Sequence, residues 1–330
     1  MTDLAITSHK PMTTSGTYLP PLHLLVEMFL NSLDCQVSSQ HKYESQIKVF
    51  IRWVNDTGRS SILTTWSCQD IINYKRFLMN ELRIQHSTIV PKPLSSSTIN
   101  NYLSAVRKFF TWLNREGYCP NIAKNVNGIG KQDGFRKHTL SKEQVLDALS
   151  SFNRDTLNGL RDYAIFNLMV RTGCRDCEVV RAKIRHLRVE SGQTVLDIQA
   201  KGHYESDQFK VLMLKAKEPI REYLDARKRI LPFNDDDFLF VSHAKRNYMK
   251  GLTTRSVSRI IKTALRNIGL DTDKLTAHSL RHTAITLAIA GGASLHQAQA
   301  MAGHKDSRTT ELYFHNLKRI EDAAEKYIDI

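Results

Sequence analysis

The sequence predicts a mainly α protein with two domains: an all-helical N-terminal domain, and a mixed α/β domain that is helical with one small antiparallel sheet. The chain has 330 residues, and this length is typical of about two domains. Apolar residues recur at helical spacing through most of the chain. Three short segments joined by two turns are predicted as strands: 186–190, 195–200 and 208–214.

The first domain is predicted to span residues 21–117, after a polar, threonine-rich tail at residues 1–20. Its last helix follows residues 95–98, Ser-Ser-Ser-Thr, which are candidates for a helix cap. Four helical patterns define the domain: Leu24, Leu25, Met28, Phe29 and Leu33; Tyr43, Ile47, Phe50, Ile51 and Val54; residues 70–82; and Ile99, Tyr102, Leu103, Val106, Phe109, Phe110 and Leu113.

Residues 118–138 are rich in asparagine, glycine and proline and are predicted to be an interdomain linker. The second domain, residues 139–330, begins with a helix start at 139–143 and a strongly helical segment at 158–170. Beyond the predicted strands, further helices are expected at 217–229, 254–268, 279–290, 294–302 and 317–328, the last within a C-terminal helix, 316–330.

The charge of the chain favours a polyanionic partner. Lysine and arginine total 47 against 33 aspartates and glutamates, a formal net charge of +14, and 41% of residues are hydrophobic. This hydrophobic content argues against a mostly disordered chain. Residues 1–130 carry 13 basic and 8 acidic side chains, and the remainder carries 34 and 25, so both domains are basic. Nucleic acid is the expected partner, although charge alone leaves DNA, RNA and an acidic membrane open.

Several classes of protein are excluded by features that the sequence lacks. No run of 18 apolar residues predicts a transmembrane helix, and the N-terminus has no signal-peptide core, so we expect a cytoplasmic protein without a membrane partner. The five cysteines are an odd, scattered set, typical of reduced thiols. Cys174 and Cys177 form a C-x-x-C pair without a second pair at a suitable spacing, which favours chance helical spacing over a zinc or redox site.

Two cations of the second half are candidates for a functional role. Arg175 begins a helical turn, where the helix dipole disfavours positive charge unless an anion binds nearby. Lys201 lies in the turn of a predicted hairpin, where a lysine is usually solvated. Each position alone is a weak indication of function.

Two further segments contain histidines. His278 and Arg281 are three residues apart and share a helical face, whereas His282 is assigned to a different face and interpreted as structural. His304 follows a glycine at a predicted helix end, and Tyr313 comes nine residues later. A lone tyrosine there would normally be a packing residue.

In order and spacing, these residues resemble the catalytic signature of the tyrosine site-specific recombinases, the phage integrase family. Residues 278–283, His-Ser-Leu-Arg-His-Thr, are similar to the family's H-x-L-R-H-T box, and residues 171–178 resemble its T-G-x-R-x-x-E box. Residues 303–315 match its G-H-(x4)-T-T-x-x-Y-x-H run position for position. Three packing or edge positions depart from the common pattern: Cys174, Ala302 and Phe314.

The resemblance extends from about residue 21 to the C-terminus and implies a two-domain member of the Xer/Cre type. The first half would be the SAM-like core-binding domain and the second half the catalytic domain. Because only about twenty residues precede the first predicted helix, we expect no additional arm-binding domain. The implied partner is double-stranded DNA with inverted-repeat core sites, bound as a dimer per site and a homotetramer on two sites. The C-terminal helix would be exchanged between protomers.

The resemblance also implies cleavage and rejoining of DNA strands through a 3′-phosphotyrosyl intermediate. Tyr313 would be the nucleophile. Arg175 and Arg281 would donate fork-shaped hydrogen bonds to the phosphate oxygens. The sequence shows no carboxylate cluster of the two-metal type and no P-loop, so we expect no metal, no ATP and no other cofactor.

The remaining residues would move protons or orient the site. His278 would accept the tyrosine proton, and Lys201 would protonate the departing 5′-oxygen. His304 would hydrogen-bond the phosphate or support the tyrosine, and Glu178 would orient the arginine or histidine side chains. Two other lysines are rival candidates for the general acid: Lys210 and Lys215.

Three other functions fit part of the pattern. They are a type IB topoisomerase-like nicking and closing enzyme, a catalytically inactive DNA-binding relative, and a basic helical RNA-binding protein. The two-domain layout and the complete residue set favour a recombinase. Integration, excision, transposition and resolution of a circular DNA all remain compatible with this chemistry.

Overall fold

A computed structural model describes residues 19–59, 63–80, 82–85, 88–130, 138–199 and 208–328. The chain divides into two compact units between Asp133 and Gly134, and each unit has its own hydrophobic core. Most of the described residues are helical, and one small three-stranded antiparallel sheet lies in the second unit. The predicted mainly α fold class is therefore confirmed.

The described part of the first unit contains four helices and a β-hairpin. The elements are α1 (Leu22–Asn31), α2 (Val37–Asp56), α3 (Cys68–Asn80), β1 (Leu82–Gln85), β2 (Thr88–Pro93) and α4 (Ser96–Arg115). The unit is thus not all-helical as predicted, because β1 and β2 pair in antiparallel fashion. The sequence argued against this hairpin, since Pro91 and Pro93 lower the strand propensity of β2.

The core of the first unit is rich in aromatic rings. Phe50 is fully buried, and its ring centroid lies 5.0 Å from that of Tyr74 and 6.3 Å from that of Phe110. Edge contacts of this kind add to the free energy gained by burying the rings. At the start of α4, the Ser95 hydroxyl accepts a hydrogen bond from the Thr98 backbone N–H at 3.2 Å, which agrees with the predicted cap.

The first half of the predicted linker belongs to this same core. Cys119, Ala123 and Val126 are buried in it, and Arg107 donates a hydrogen bond to the Val126 carbonyl. The prediction that residues 118–138 form a linker is therefore wrong for this part, because its few apolar residues reach the helices of the first unit. Residues 131–137 lie outside the described residues.

The second unit surrounds a small sheet with helices. Its described elements are α5 (Lys142–Ser150), α6 (Leu157–Thr172), α7 (Asp176–Arg181), β3 (Leu187–Glu190), β4 (Gln193–Ile198), β5 (Gln208–Val211), α8 (Leu214–Lys228), α9 (Thr254–Asn267), α10 (Ala277–Ala290), α11 (Leu295–Ala302) and α12 (Arg308–Glu321). The strands are antiparallel in the order β3-β4-β5, close to the predicted segments.

Two glycines with left-handed backbone end the helices that border the candidate site. Gly173 ends α6 with φ 67°, and Gly303 ends α11 with φ 61°. This conformation is readily adopted only by glycine. The two helices therefore stop at fixed points, and both leave C-terminal carbonyl groups available to accept hydrogen bonds.

The C-terminal region differs from the predicted helix 316–330. Helix α12 begins at Arg308, includes Tyr313 and ends at Glu321, and a short 3₁₀ turn follows at Ala324–Tyr327. The Ser307 carbonyl accepts from two backbone N–H groups at the start of the helix, and α12 continues past the tyrosine without a break. Among the described helices, none is long and apolar enough to cross a membrane.

Candidate active site

Arg281 joins the sequence segments that were singled out for their polar residues. Its side chain is only 2% exposed. Nη1 donates to the Gly173 carbonyl at 2.8 Å, and Nη2 donates to the Ala302 carbonyl. These carbonyls end α6 and α11, where the helix dipole favours a cation. The segments around residues 171–178, 276–283 and 302–315 therefore converge on one guanidinium group.

Arg175 and Glu178 form an ion pair beside this point. Arg175 Nη1 lies 2.5 Å from Glu178 Oε1, and the backbone N–H of Arg175 donates to Glu178 Oε2 at 2.8 Å. The Glu178 side chain is buried, whereas that of Arg175 is partly exposed. This pairing constrains the guanidinium group of Arg175 and offsets part of the cost of a cation at the start of α7.

Lys210 is a third cation of this cluster. It lies on β5 and is 3% exposed, and its Nζ donates to the Met301 carbonyl. Burial lowers its pKa, while Cys174 and Glu178 act in the opposite direction. Lys215, the other rival for the role of general acid, has an exposed side chain. The predicted acid itself, Lys201, lies outside the described residues.

Tyr313 is buried within α12. Its side chain is 1% exposed, and burial raises its pKa to about 12, against the opposing effect of Arg281. Its hydroxyl forms a hydrogen bond with His282 Nδ1. The His304 ring centroid lies 6.5 Å from that of Tyr313, and His304 Nδ1 is 2.8 Å from Thr310 Oγ1. The phenol is therefore protonated and shielded in this conformation.

The assignment of His282 to a different helical face from His278 is wrong. The two residues are four apart on α10, and residues at this spacing are neighbours on one face. Their ring centroids are 4.5 Å apart in an edge-to-face contact. His278 is exposed, and His282 is the one that contacts the tyrosine hydroxyl. The i, i+4 spacing is the signal in the sequence that could have identified this pair.

The C-x-x-C cysteines have no feature of an activated site. Both thiols are free, and Cys174 is buried, which raises its pKa to about 11. Burial also raises the pKa of Cys177. Within the described parts of the chain, no group of three or more His, Cys, Asp or Glu side chains has the arrangement of a metal site.

The cluster as a whole is electropositive. Three cations, Arg175, Arg281 and Lys210, are near one carboxylate, Glu178. Burial and the charge of Arg175 lower the pKa of Arg281 to about 10, so the cations destabilise one another. An anion between them would relieve this repulsion, and guanidinium groups match the geometry of phosphate oxygens. The arrangement is therefore suited to a phosphodiester beside a tyrosine hydroxyl.

Comparisons with known proteins agree with this geometry. Residues 138–319 match the phage integrase family, and residues 26–117 match the N-terminal SAM-like domain of phage integrases. Tyrosine recombinase XerD of Lacticaseibacillus casei is 28% identical over 301 residues, covering 89% of this chain and 94% of the relative. Tyrosine recombinase XerC of Pseudomonas syringae pv. tomato is 30% identical over 258 residues, covering 77% and 78%.

Solved structures share the fold. A XerH site-specific recombinase in a post-cleavage complex with difH DNA superposes with a TM-score of 0.70 at 22% identity, covering 93% of this chain and 84% of the other. A lambda integrase dimer bound to a core site gives a TM-score of 0.65 at 18% identity, covering 89% and 95%. With the convergent cluster and the matches over both units, the chain belongs to the phage integrase family and is a tyrosine recombinase that acts in site-specific recombination.

Proposed function

We propose that this recombinase cleaves and rejoins DNA through a 3′-phosphotyrosyl bond formed on Tyr313. One observation carries the proposal: Arg281 binds the ends of two helices and gathers the other cations of the cluster beside the tyrosine. A phosphodiester in this cluster would meet two guanidinium groups. Removal of one such donor typically costs on the order of 10²–10³ in rate.

In the proposed step, Tyr313 Oη attacks the phosphorus and the bond to the 5′-oxygen breaks. Lys201 donates a proton to that oxygen, which leaves as a hydroxyl, and His278 accepts the proton of the phenol. Arg175 and Arg281 hold the nonbridging oxygens while charge accumulates on them. A 5′-hydroxyl from another strand reverses the step, so the strand is resealed without an external energy source.

The raised pKa of Tyr313 determines how large an ionisation cost the other residues must offset. With a pKa of about 12, full ionisation at pH 7 would cost about 7 kcal/mol. Proton transfer to a histidine during attack avoids most of this cost. We propose that His282, which contacts the hydroxyl, positions the phenol, and that His278 beside it accepts the proton.

We further propose that the protein binds inverted-repeat core sites as a dimer per site and joins two sites as a homotetramer. The lambda integrase structure, a dimer on a core site, supports the first part. The exposed C-terminal segment supports exchange between protomers, since Tyr327 is 87% exposed and Ile328 is 65% exposed. In an assembled tetramer these apolar side chains would be covered.

A groove of about 890 Å³ on the second unit is the acceptor that we propose for this segment of a neighbouring copy. Apolar side chains form much of its lining, among them Leu146, Met213, Leu214 and Leu287. Three cations also line it: Lys142, Arg171 and Lys215. Residues 321–330 contain four acidic side chains and one lysine, so the segment complements the groove in both charge and polarity.

The test uses a duplex enriched from a random-sequence pool by binding to the protein, nicked near the scissile position and incubated with EDTA. We expect a covalent protein–DNA adduct with the wild type, and none with Tyr313→Phe. Removing the hydroxyl deletes the nucleophile but leaves the ring that packs in the core. An adduct formed by Tyr313→Phe would disprove the assignment of the nucleophile. Relaxation of supercoiled DNA without a paired site, and no two-site recombination, would instead support the topoisomerase-like alternative.

A second test addresses the exchanged segment. A chain truncated after Asn316, and separately Tyr327→Ser with Ile328→Ser, should bind a single site but lose cooperative assembly on two sites. Electrophoretic mobility and light scattering measure this. Met213→Glu in the groove should have the same effect as the tail substitutions. Unchanged cooperative assembly in these variants would contradict the exchange.

A further inference from the structure

We propose that Lys210 is a positioning residue that fixes β5 against the end of α11, and thereby holds the turn that carries His304. This inference rests on the proposed function and adds to it a residue that needs no contact with the DNA.

Strand β5 has an inverted polarity pattern. Lys210 is buried, whereas its neighbours Phe209 and Val211 are 49% and 45% exposed. Side chains alternate along a strand, so Gln208 and Lys210 share the inward face. Apolar side chains therefore point outward so that two polar side chains can reach the interior of the unit. Burying a lysine costs free energy unless its charge is compensated, which indicates that this position has a specific role.

The inward side chains of β5 meet the C-terminal end of α11. Lys210 donates to the Met301 carbonyl, and Arg281 donates to the next carbonyl, that of Ala302. Gln208 packs so closely on Gly303 that an added Cβ there would collide with its amide oxygen. Two cations thus bind consecutive carbonyls at the negative end of the helix dipole, directly before the turn that places His304.

The order of the elements along the chain indicates which parts of the site this contact affects. Strand β5 begins at Gln208 and β4 ends at Ile198, so the segment with Lys201 joins the two strands. Through Lys210, strand β5 contacts the same helix end that Arg281 binds. Arg281, His304 and strand β5 would move together. A displacement of about 1 Å in such a frame costs on the order of 10²-fold in rate.

The first experiment compares Lys210→Met with Lys228→Met in the full chain. Methionine keeps most of the length of the side chain and removes the charge and the donor. Lys228 is an exposed lysine at the end of α8. We expect Lys210→Met to bind the enriched duplex with a Kd within about twofold of the wild type and to form the covalent adduct about 10²-fold more slowly. Lys228→Met should match the wild type. An adduct rate for Lys210→Met within about threefold of the wild-type rate would overturn the proposal.

A second measurement separates positioning from proton donation. A duplex with sulfur in place of the bridging 5′-oxygen has a leaving group that needs no proton. It should restore the rate of Lys201→Met but not that of Lys210→Met. Restoration of Lys210→Met would make Lys210 the general acid and overturn the positioning role. If Lys210 acts through His304, the double variant Lys210→Met/His304→Ala should be about as slow as the slower single variant, whereas additive losses would contradict it.

A third measurement does not depend on catalysis. In the DNA-free protein, the imidazole resonances of His304 should shift in Lys210→Met and stay unchanged in Lys228→Met. Lys210→Gln keeps a hydrogen-bond donor and should shift the His304 resonances less. It also serves as the test variant if Lys210→Met unfolds. Unchanged His304 resonances in a folded Lys210 variant would refute the anchor, whereas absence of any adduct from the wild type would refute the proposed function alone.

Discussion

The cores of the two units differ in the kind of side chain that they bury. Among the described residues, the buried polar or charged side chain of the first unit is Gln46. In the second unit eleven such side chains are buried: Arg161, Asn167, Thr172, Glu178, Lys210, Arg227, Ser279, Arg281, His282, Thr283 and Thr310. The first core instead contains clustered aromatic rings.

The difference between the two cores indicates which residues contribute to the stability of the fold and which to the reaction. Apolar burial stabilises a fold at about 25 cal/mol per Å², whereas a buried charge costs free energy unless it is paired. A fold that buries Arg281, Lys210 and Glu178 together has lost stability in order to hold charges in fixed positions. Buried charged groups of this kind cluster at functional sites. The comparison therefore predicts that substitutions in the first core lower stability, and that substitutions in the cluster lower the reaction rate.

The largest expected effect on stability comes from Phe50→Ala. Loss of a fully buried ring from the aromatic core should lower the free energy of unfolding of the first unit by about 3–5 kcal/mol. All three tryptophans, Trp53, Trp66 and Trp112, lie in this unit, so urea denaturation followed by tryptophan fluorescence reports on it. Phe240→Ala, a matched loss in the second core, should leave that transition in place. Equal shifts from both variants would mean that the units unfold together.

The cluster should behave in the opposite way. Arg281→Met removes the donor that we propose for the phosphate, together with the contacts to two helix ends, and should slow adduct formation on the nicked duplex by about 10²–10³-fold. The tryptophan fluorescence transition should not move. A shift of that transition as large as the one from Phe50→Ala would remove the contrast between the two cores.

A smaller effect is expected from pH. In a His278→Ala/His282→Ala variant, the adduct rate should rise about tenfold per pH unit between pH 7 and 9. This follows because the phenolate fraction of a group with a pKa of about 12 grows tenfold per unit below that pKa. The wild type, which has a proton acceptor, should show a flatter profile in the same adduct assay. Parallel profiles in the two proteins would show that neither histidine takes the proton.

The smallest effect is expected at a helix cap. Ser95→Ala removes the hydroxyl that accepts from the Thr98 backbone N–H and should lower the stability of the first unit by about 1 kcal/mol. Urea denaturation measures this, with Ser95→Thr as a control that keeps the hydroxyl. A loss as large as that from Phe50→Ala would show that the cap contributes as much as the aromatic core.

Much of the site could be predicted because its residues carry strong local patterns. His278 and Arg281 are linked by helical spacing, and Tyr313 by the run of residues around it. The family matches confirm the recombinase prediction, while the individual catalytic roles stay predictions. His282 was missed as a contact of the tyrosine because a face was misassigned, although its spacing from His278 contains the information.

Other features could not be predicted from local pattern. Strand β5 places Lys210 inward and Phe209 outward, which is the reverse of what alternation of polar and apolar residues indicates. The contact of Lys210 with the helix end across from the strand explains this arrangement. Likewise, the burial of Cys119 and Val126 depends on helices far away in sequence, so a segment with linker composition became part of a core.

Because α12 is unbroken, a movement at one end of the helix can be transmitted to the other end. Tyr313 and Glu321 lie on one helix, about 12 Å apart along its axis at a rise of 1.5 Å per residue. Because the tyrosine side chain is 1% exposed, the attack proposed for it would require a shift, and a rigid helix would transmit that shift to its far end. A contact that holds or releases the residues after Glu321 would therefore determine how far Tyr313 can move.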